Sequence, residues 1–106
     1  MIITDRNTLG VLLIGSTHYL EMAPGQEAAI YYRTADDAHM ALPDGTRRTG
    51  KWRITDTGYH VDWTDGPSAG WQIDAEPGRI GYVDAGGVER ARVSRIVPGD
   101  AAALAA

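Results

Sequence analysis

Turn signals recur so often in this chain that only short strands fit between them. From Gly15 onward the breakers are Pro24-Gly25, Asp36-Asp37, Pro43-Asp44-Gly45, Thr57-Gly58, Asp65-Gly66-Pro67, Pro77-Gly78, Gly86-Gly87 and Pro98-Gly99. They bound the segments 17–21, 27–33, 39–42, 50–55, 59–64, 70–74, 79–84 and 88–97, several of them β-branched or aromatic with period-two alternation. No spacer is long enough for a crossover helix, so neighbours in sequence pair antiparallel as hairpins. Closing such a meander on itself removes its unpaired edges. The expected fold is all-β: a small antiparallel meander β-barrel of about eight strands.

A short helix opens the chain. Asp5 suits an N-cap, Leu9, Leu12 and Leu13 recur at helical spacing, and Gly15 ends the pattern. The apolar run 9–14 needs a cover, which is either the barrel end or the matching face of a homodimer. The tail 100–106 reads as frayed or weakly helical. A chain of 106 residues, 43% hydrophobic and 23% charged, fits one domain over 1–106. So small a domain uses most of its apolar residues to fill one core, which keeps any ligand cavity modest.

The formal net charge of −4 repels phosphate backbones and anionic lipid, so no nucleic-acid partner is expected. The run 9–14 is far shorter than the roughly 20 apolar residues a spanning helix needs, and no membrane partner is expected either. Absence of cysteine excludes disulfides, thiolate nucleophiles, thiolate-held zinc and iron–sulfur clusters. The opening residues carry no basic leader and no small-residue cleavage site, which predicts a cytoplasmic location.

Alternation assigns faces. Trp52 and Ile54 share one side of their strand and Lys51 and Arg53 the other; Tyr59, Val61 and Trp63 oppose His60 and Asp62. Trp71 with Ile73, and Ile80 with Tyr82, continue the apolar side. The basic stretch Arg47-Arg48-Thr49-Gly50-Lys51-Trp52-Arg53 reads as a solvated hairpin that balances surrounding acids.

The strings LLIGSTHY, IYYRTADD, LPDGTRRTGKWRITDTGYHVDW, GWQI and GYVDAGGVERARVSRIVPGD resemble a bacterial family of small calycin-like barrels, miniatures of streptavidin and the lipocalins. The resemblance implies that the tryptophan of Gly50-Lys51-Trp52 closes one barrel end with an arginine of the last strand, Arg92 or Arg95, lying across it. Guanidinium over an indole face gives such packing about 0.5–2 kcal/mol. Many members carry cysteines where His60 and Gly70 stand here, which implies an export-linked disulfide that this chain lacks. Ser16 and Asp100 replace two asparagines of the family pattern.

Tyrosine and tryptophan supply all the aromatic mass, since phenylalanine is absent. Each offers apolar area plus one polar atom, which suits a cavity that stacks on and orients a small organic molecule. The expected ligand-binding residues are Tyr32, Trp63, Trp71, Tyr82 and Arg33, and the first expectation is a small-molecule-binding barrel. The second is a cofactor-free isomerase, cyclase or lyase, with His60 or His39 as general base and Tyr32, Arg33 and Glu21 as further candidates for proton transfer. The third is an interaction module with a solid barrel. Three histidines, His18, His39 and His60, would suffice for a metal ion, but their spacing matches no ligand motif. The chain has no G-x-S-x-G elbow, phosphate-cradling glycine loop or H-E-x-x-H helix, so no cofactor and no metal are expected.

Overall fold

A computed structural model describes residues 1–105. The chain begins with a two-residue strand β1 (Ile2–Ile3) and helix α1 (Arg6–Leu13). Eight strands follow: β2 (Ser16–Ala23), β3 (Gln26–Tyr32), β4 (Asp37–Ala41), β5 (Arg47–Ile54), β6 (Tyr59–Trp63), β7 (Ser68–Glu76), β8 (Arg79–Val83) and β9 (Glu89–Pro98). Each of the eight pairs antiparallel with its sequence neighbours, and β2 pairs with β9 to close an eight-stranded barrel. β1 was not expected. It lies antiparallel to the end of β7, Ile2 opposite Asp74 and Ile3 opposite Ile73, along the edge that β6 leaves after Trp71.

The expected faces hold around the wall. Trp52, Tyr59, Val61, Ile73 and Tyr82 are buried in one core cluster, with Ile54, Trp63, Trp71 and Ile80 packed against it. Lys51, Arg53 and Asp62 are exposed.

Helix α1 closes one end. Asp5 caps it by accepting from the Thr8 amide at 2.8 Å, and the Thr8 hydroxyl donates to the same oxygen at 2.7 Å. Gly15 leaves the helix at φ +79°, and its N–H donates to the carbonyl of Tyr32 on β3 at 2.7 Å. That bond sets the helix over the barrel mouth where β2 begins and β3 ends. Leu9 and Leu13 are both fully buried in the barrel core, so the barrel end covers the helix's apolar face. Among the described residues no helix is long and apolar enough to cross a membrane.

Two expectations need correction. The tail, expected to be frayed or weakly helical, is a tied-down turn as far as residue 105: the Asp100 carboxylate accepts from the amides of Leu104 at 2.7 Å and Ala105 at 2.9 Å, and Leu104 is buried. Nor does an arginine lie across Trp52. A β-bulge between Tyr19 and Leu20, opposite Val93–Arg95, rephases β9. Arg95 therefore emerges on the outer face, its guanidinium carbon 4.0 Å from the Tyr19 ring centre, while Arg92 pairs with Glu89. The Trp52 indole instead donates to the carbonyl of Thr34 at 2.8 Å.

Candidate functional site

The barrel interior is divided between a packed floor and an open cavity. The floor lies under α1 and consists of His18, Tyr32, Trp52, Tyr59 and Tyr82. Their rings meet edge to face: Tyr32 and Trp52 have centres 5.0 Å apart at 63°, Tyr32 and Tyr59 5.8 Å apart at 85°, and Tyr59 and Tyr82 5.9 Å apart at 82°. These are the separations at which ring edges and faces attract.

One hydrogen-bonded chain runs through this floor, and its direction can be derived. His18 Nε2 lies 2.8 Å from the carbonyl oxygen of Leu12, which can only accept, so Nε2 carries a proton. Burial lowers the His18 pKa below its ordinary 6.5, which keeps the ring neutral and leaves Nδ1 bare. Tyr82 therefore donates to Nδ1 at 2.8 Å. With its proton committed, Tyr82 accepts from Tyr32 at 2.8 Å, and Tyr32 in turn accepts from Tyr59 at 3.1 Å. Burial raises all three phenols, Tyr32 to about 12 and Tyr59 and Tyr82 well above 10. Four neutral groups thus satisfy one another, and among the described residues no buried side-chain nitrogen or oxygen lacks a partner.

Above the floor the barrel stays open. A cavity of about 210 Å³ is walled by Leu20, Ala28, Ile30, Met40, Val61, Trp63 and Trp71, with Tyr32, Tyr59 and Tyr82 beneath it. Its rim is formed by Met22, Leu42, Arg48, Pro67 and Arg90. These rim residues lie at the ends of β2, β4, β6 and the starts of β5, β7 and β9, so the mouth opens opposite α1. The cavity exists because inward positions in this layer carry small residues. Ala28 and Ala91 replace bulk on β3 and β9, and Gly50 leaves room for the Trp63 ring beside β5: a Cβ there would stand 2.8 Å from it.

Four of the five expected ligand residues, Tyr32, Trp63, Trp71 and Tyr82, border this one cavity. Arg33 does not. It lies beyond the end of β3 on the outside, exposed, and pairs with Asp37 at 2.9 Å. The two histidines expected to act as bases also stand outside. His39 Nε2 is 2.9 Å from Asp37, and His60 Nε2 is 3.1 Å from Asp62, each pair sharing the outer face of one strand. Glu21 is likewise exposed. The three histidines do not converge, since only His18 faces inward. Among the described residues no group of three or more histidines, aspartates or glutamates is placed to hold a metal ion.

Two residues take roles that the sequence reading did not give them, His18 having been weighed there only as a metal ligand. His18 alternates in phase with Leu20 and Met22, so its inward position was available from period two alone; its bonds to Leu12 and Tyr82 were not. Arg48 is the other. It shares the inward face of β5 with Gly50 and Trp52, whereas Arg47, Lys51 and Arg53 of the same basic run face solvent. Comparison with family models, with curated proteins and with solved structures finds no match for this chain.

Proposed function

We propose that this protein is a small-molecule-binding barrel of the calycin-like kind, which takes an apolar or aromatic molecule through the mouth opposite α1 and holds it against Trp63 and Trp71. The observation that carries this reading is the cavity itself, about 210 Å³ of space with an almost wholly apolar wall above a floor already satisfied in its hydrogen bonds. A cavity of about 150 Å³ lined by apolar side chains stays dry and takes benzene, so the space here suits one ring or two fused rings. The floor is preorganised and no side chain on it needs a partner from the ligand, which lowers the ordering cost of binding.

The other readings have less support. His60 and His39 stand on the outer face of the barrel and do not line the cavity, and His18 is neutral with both nitrogens engaged, so proton abstraction would require a buried imidazolium. An interaction module with a solid barrel does not account for the open interior.

A thermal-shift series with neutral one-, two- and three-ring compounds tests the proposal. A ligand bound only by the native state at a hundred times its Kd adds about 2.7 kcal/mol to stability. One- and two-ring compounds should raise the melting temperature, and three-ring compounds should not. No shift with any compound of either smaller size would overturn the reading.

A further inference from the structure

We infer that the ligand is an organic carboxylate, with its apolar body in the cavity and its carboxylate on Arg48 at the rim. The inference rests on the binding-barrel reading and assigns the ligand's charge. The chain as a whole is acidic, at −4, yet among the described residues no aspartate or glutamate borders the cavity, and the two charged residues that do are both arginines. Arg90 is already neutralised, its Nε 2.6 Å from the Asp84 carboxylate. Arg48 is not: among the described residues no carboxylate lies within salt-bridge distance of it, the exposed Asp44 carboxylate acting on it only through space, and its one hydrogen bond runs from Nη1 to the backbone carbonyl of Asp65 at 2.9 Å.

Arg48 is singular in this respect. Among the described residues, six of the ten cationic side chains have an acidic partner: Arg33, Lys51, Arg53, Arg79, Arg90 and Arg92. Of the remaining four, Arg6, Arg47 and Arg95 are exposed to solvent, and only Arg48 is half-buried. Its position is also fixed. The guanidinium passes over Gly66 in the β6–β7 turn, where a Cβ would come within 2.5 Å of Nη1, and the bond to Asp65 pins one corner of the fork. The unused edge of a planar guanidinium is the shape that accepts a carboxylate through two parallel hydrogen bonds. Partial burial beside Trp63 and Pro67 strengthens that pairing relative to open water.

The test compares 2-naphthoate with its neutral isostere 2-naphthamide by calorimetric titration at low ionic strength, on the intact chain and on Arg48→Met, Arg48→Lys and Arg90→Met. Charge-assisted hydrogen bonds predict that the acid binds about tenfold or more tighter than the amide. The preference should vanish in Arg48→Met, where the acid loses far more affinity than the amide, shrink in Arg48→Lys, and persist in Arg90→Met; it should also weaken with added salt. Equal affinity for acid and amide, or a preference that survives Arg48→Met, would overturn the carboxylate inference and leave the cavity reading intact. Failure of both compounds to bind the intact chain overturns both. A wild-type near-UV circular dichroism spectrum of Arg48→Met is the check that the variant is folded.

Discussion

His18 Nδ1 lies 2.8 Å from the Tyr82 hydroxyl, 64 residues away in sequence, and accepts its proton. That contact orients every donor and acceptor on the barrel floor, because each later hydroxyl has only one proton to give. The floor depends on His18 staying neutral, and its pH response has a definite sign.

The folded-state pKa of His18 lies below 6.5, so between those two values the unfolded chain binds a proton that the native chain does not. The His18 contribution to stability is therefore complete above pH 6.5 and is lost as pH falls toward the folded value, at up to about 1.4 kcal/mol per unit. Carboxylates such as Asp37 and Asp84, whose pKa values their cationic partners lower, act only below their ordinary 3.8 and leave this window clear. Urea unfolding at pH 7.5 and 5.5 should show wild type losing more stability than His18→Gln over that interval. Parallel losses would place the protonation elsewhere.

At the alkaline limit the sign reverses. Tyr32, Tyr59 and Tyr82 keep their protons in the native state above pH 10, where the unfolded chain releases them. Their contribution is complete below pH 10 and declines as pH rises toward 12. In a titration followed by tyrosinate absorbance, the signal from these three of the five tyrosines should appear together with loss of the near-UV circular dichroism of the folded barrel. Ionisation of all five while the barrel remains folded would contradict the buried, closed floor.

The order of donors also predicts unequal costs for two similar deletions. Tyr32→Phe strands the Tyr59 hydroxyl without an acceptor and should cost about 1–3 kcal/mol, whereas Tyr59→Phe strands no donor and should cost about 0.5–1.5 kcal/mol. The double variant should cost less than the sum, since the stranded group is gone. Equal costs for the two single deletions would mean that the chain runs in the opposite direction, in which each of them strands a donor.

Two glycines are set by close approach. A Cβ on Gly58 would overlap the carbonyl oxygen of Trp71, which is backbone and cannot move aside. Gly58→Ala should destabilise by about 3 kcal/mol or more. At Gly50 the obstacles are the Asp62 carbonyl oxygen at 2.7 Å and the Trp63 ring at 2.8 Å. Gly50→Ala should cost about 1–3 kcal/mol and displace Trp63 from the cavity wall, seen as a change in tryptophan fluorescence. Wild-type stability in both would show that these contacts are looser than drawn.

The barrel could be read from the chain because two signals reinforce each other: turn residues set the strand spacing, and alternation sets the faces. Trp52, Tyr59, Val61, Trp63, Trp71, Ile73 and Tyr82 all face inward as the alternation requires. β1 escaped because two residues, Ile2 and Ile3, cannot display a period. Arg48 escaped because four positive charges in seven residues read as a surface, although counting back in twos from Trp52 through Gly50 reaches it. The expectation of Arg92 or Arg95 over Trp52 failed because both emerge on the outer face, and the bulge that turns Arg95 around is set by pairing with β2 and has no local signal. The bonds of His18 depend on where α1 leaves the Leu12 carbonyl, which only the assembled barrel determines.

The central claim is that the open half of the barrel receives a ligand between Trp63 and Trp71. The indole region of a proton–nitrogen correlation spectrum tests it directly, because the chain has three tryptophans and only two of them border the cavity. During titration with naphthalene, the Trp63 and Trp71 indole signals should move while that of Trp52, which belongs to the floor and is bound to the Thr34 carbonyl, stays in place. In Ala28→Leu, which fills the cavity from β3, none should move. Three stationary signals in the wild type, or movement that persists after the cavity is filled, would contradict a ligand site inside this barrel.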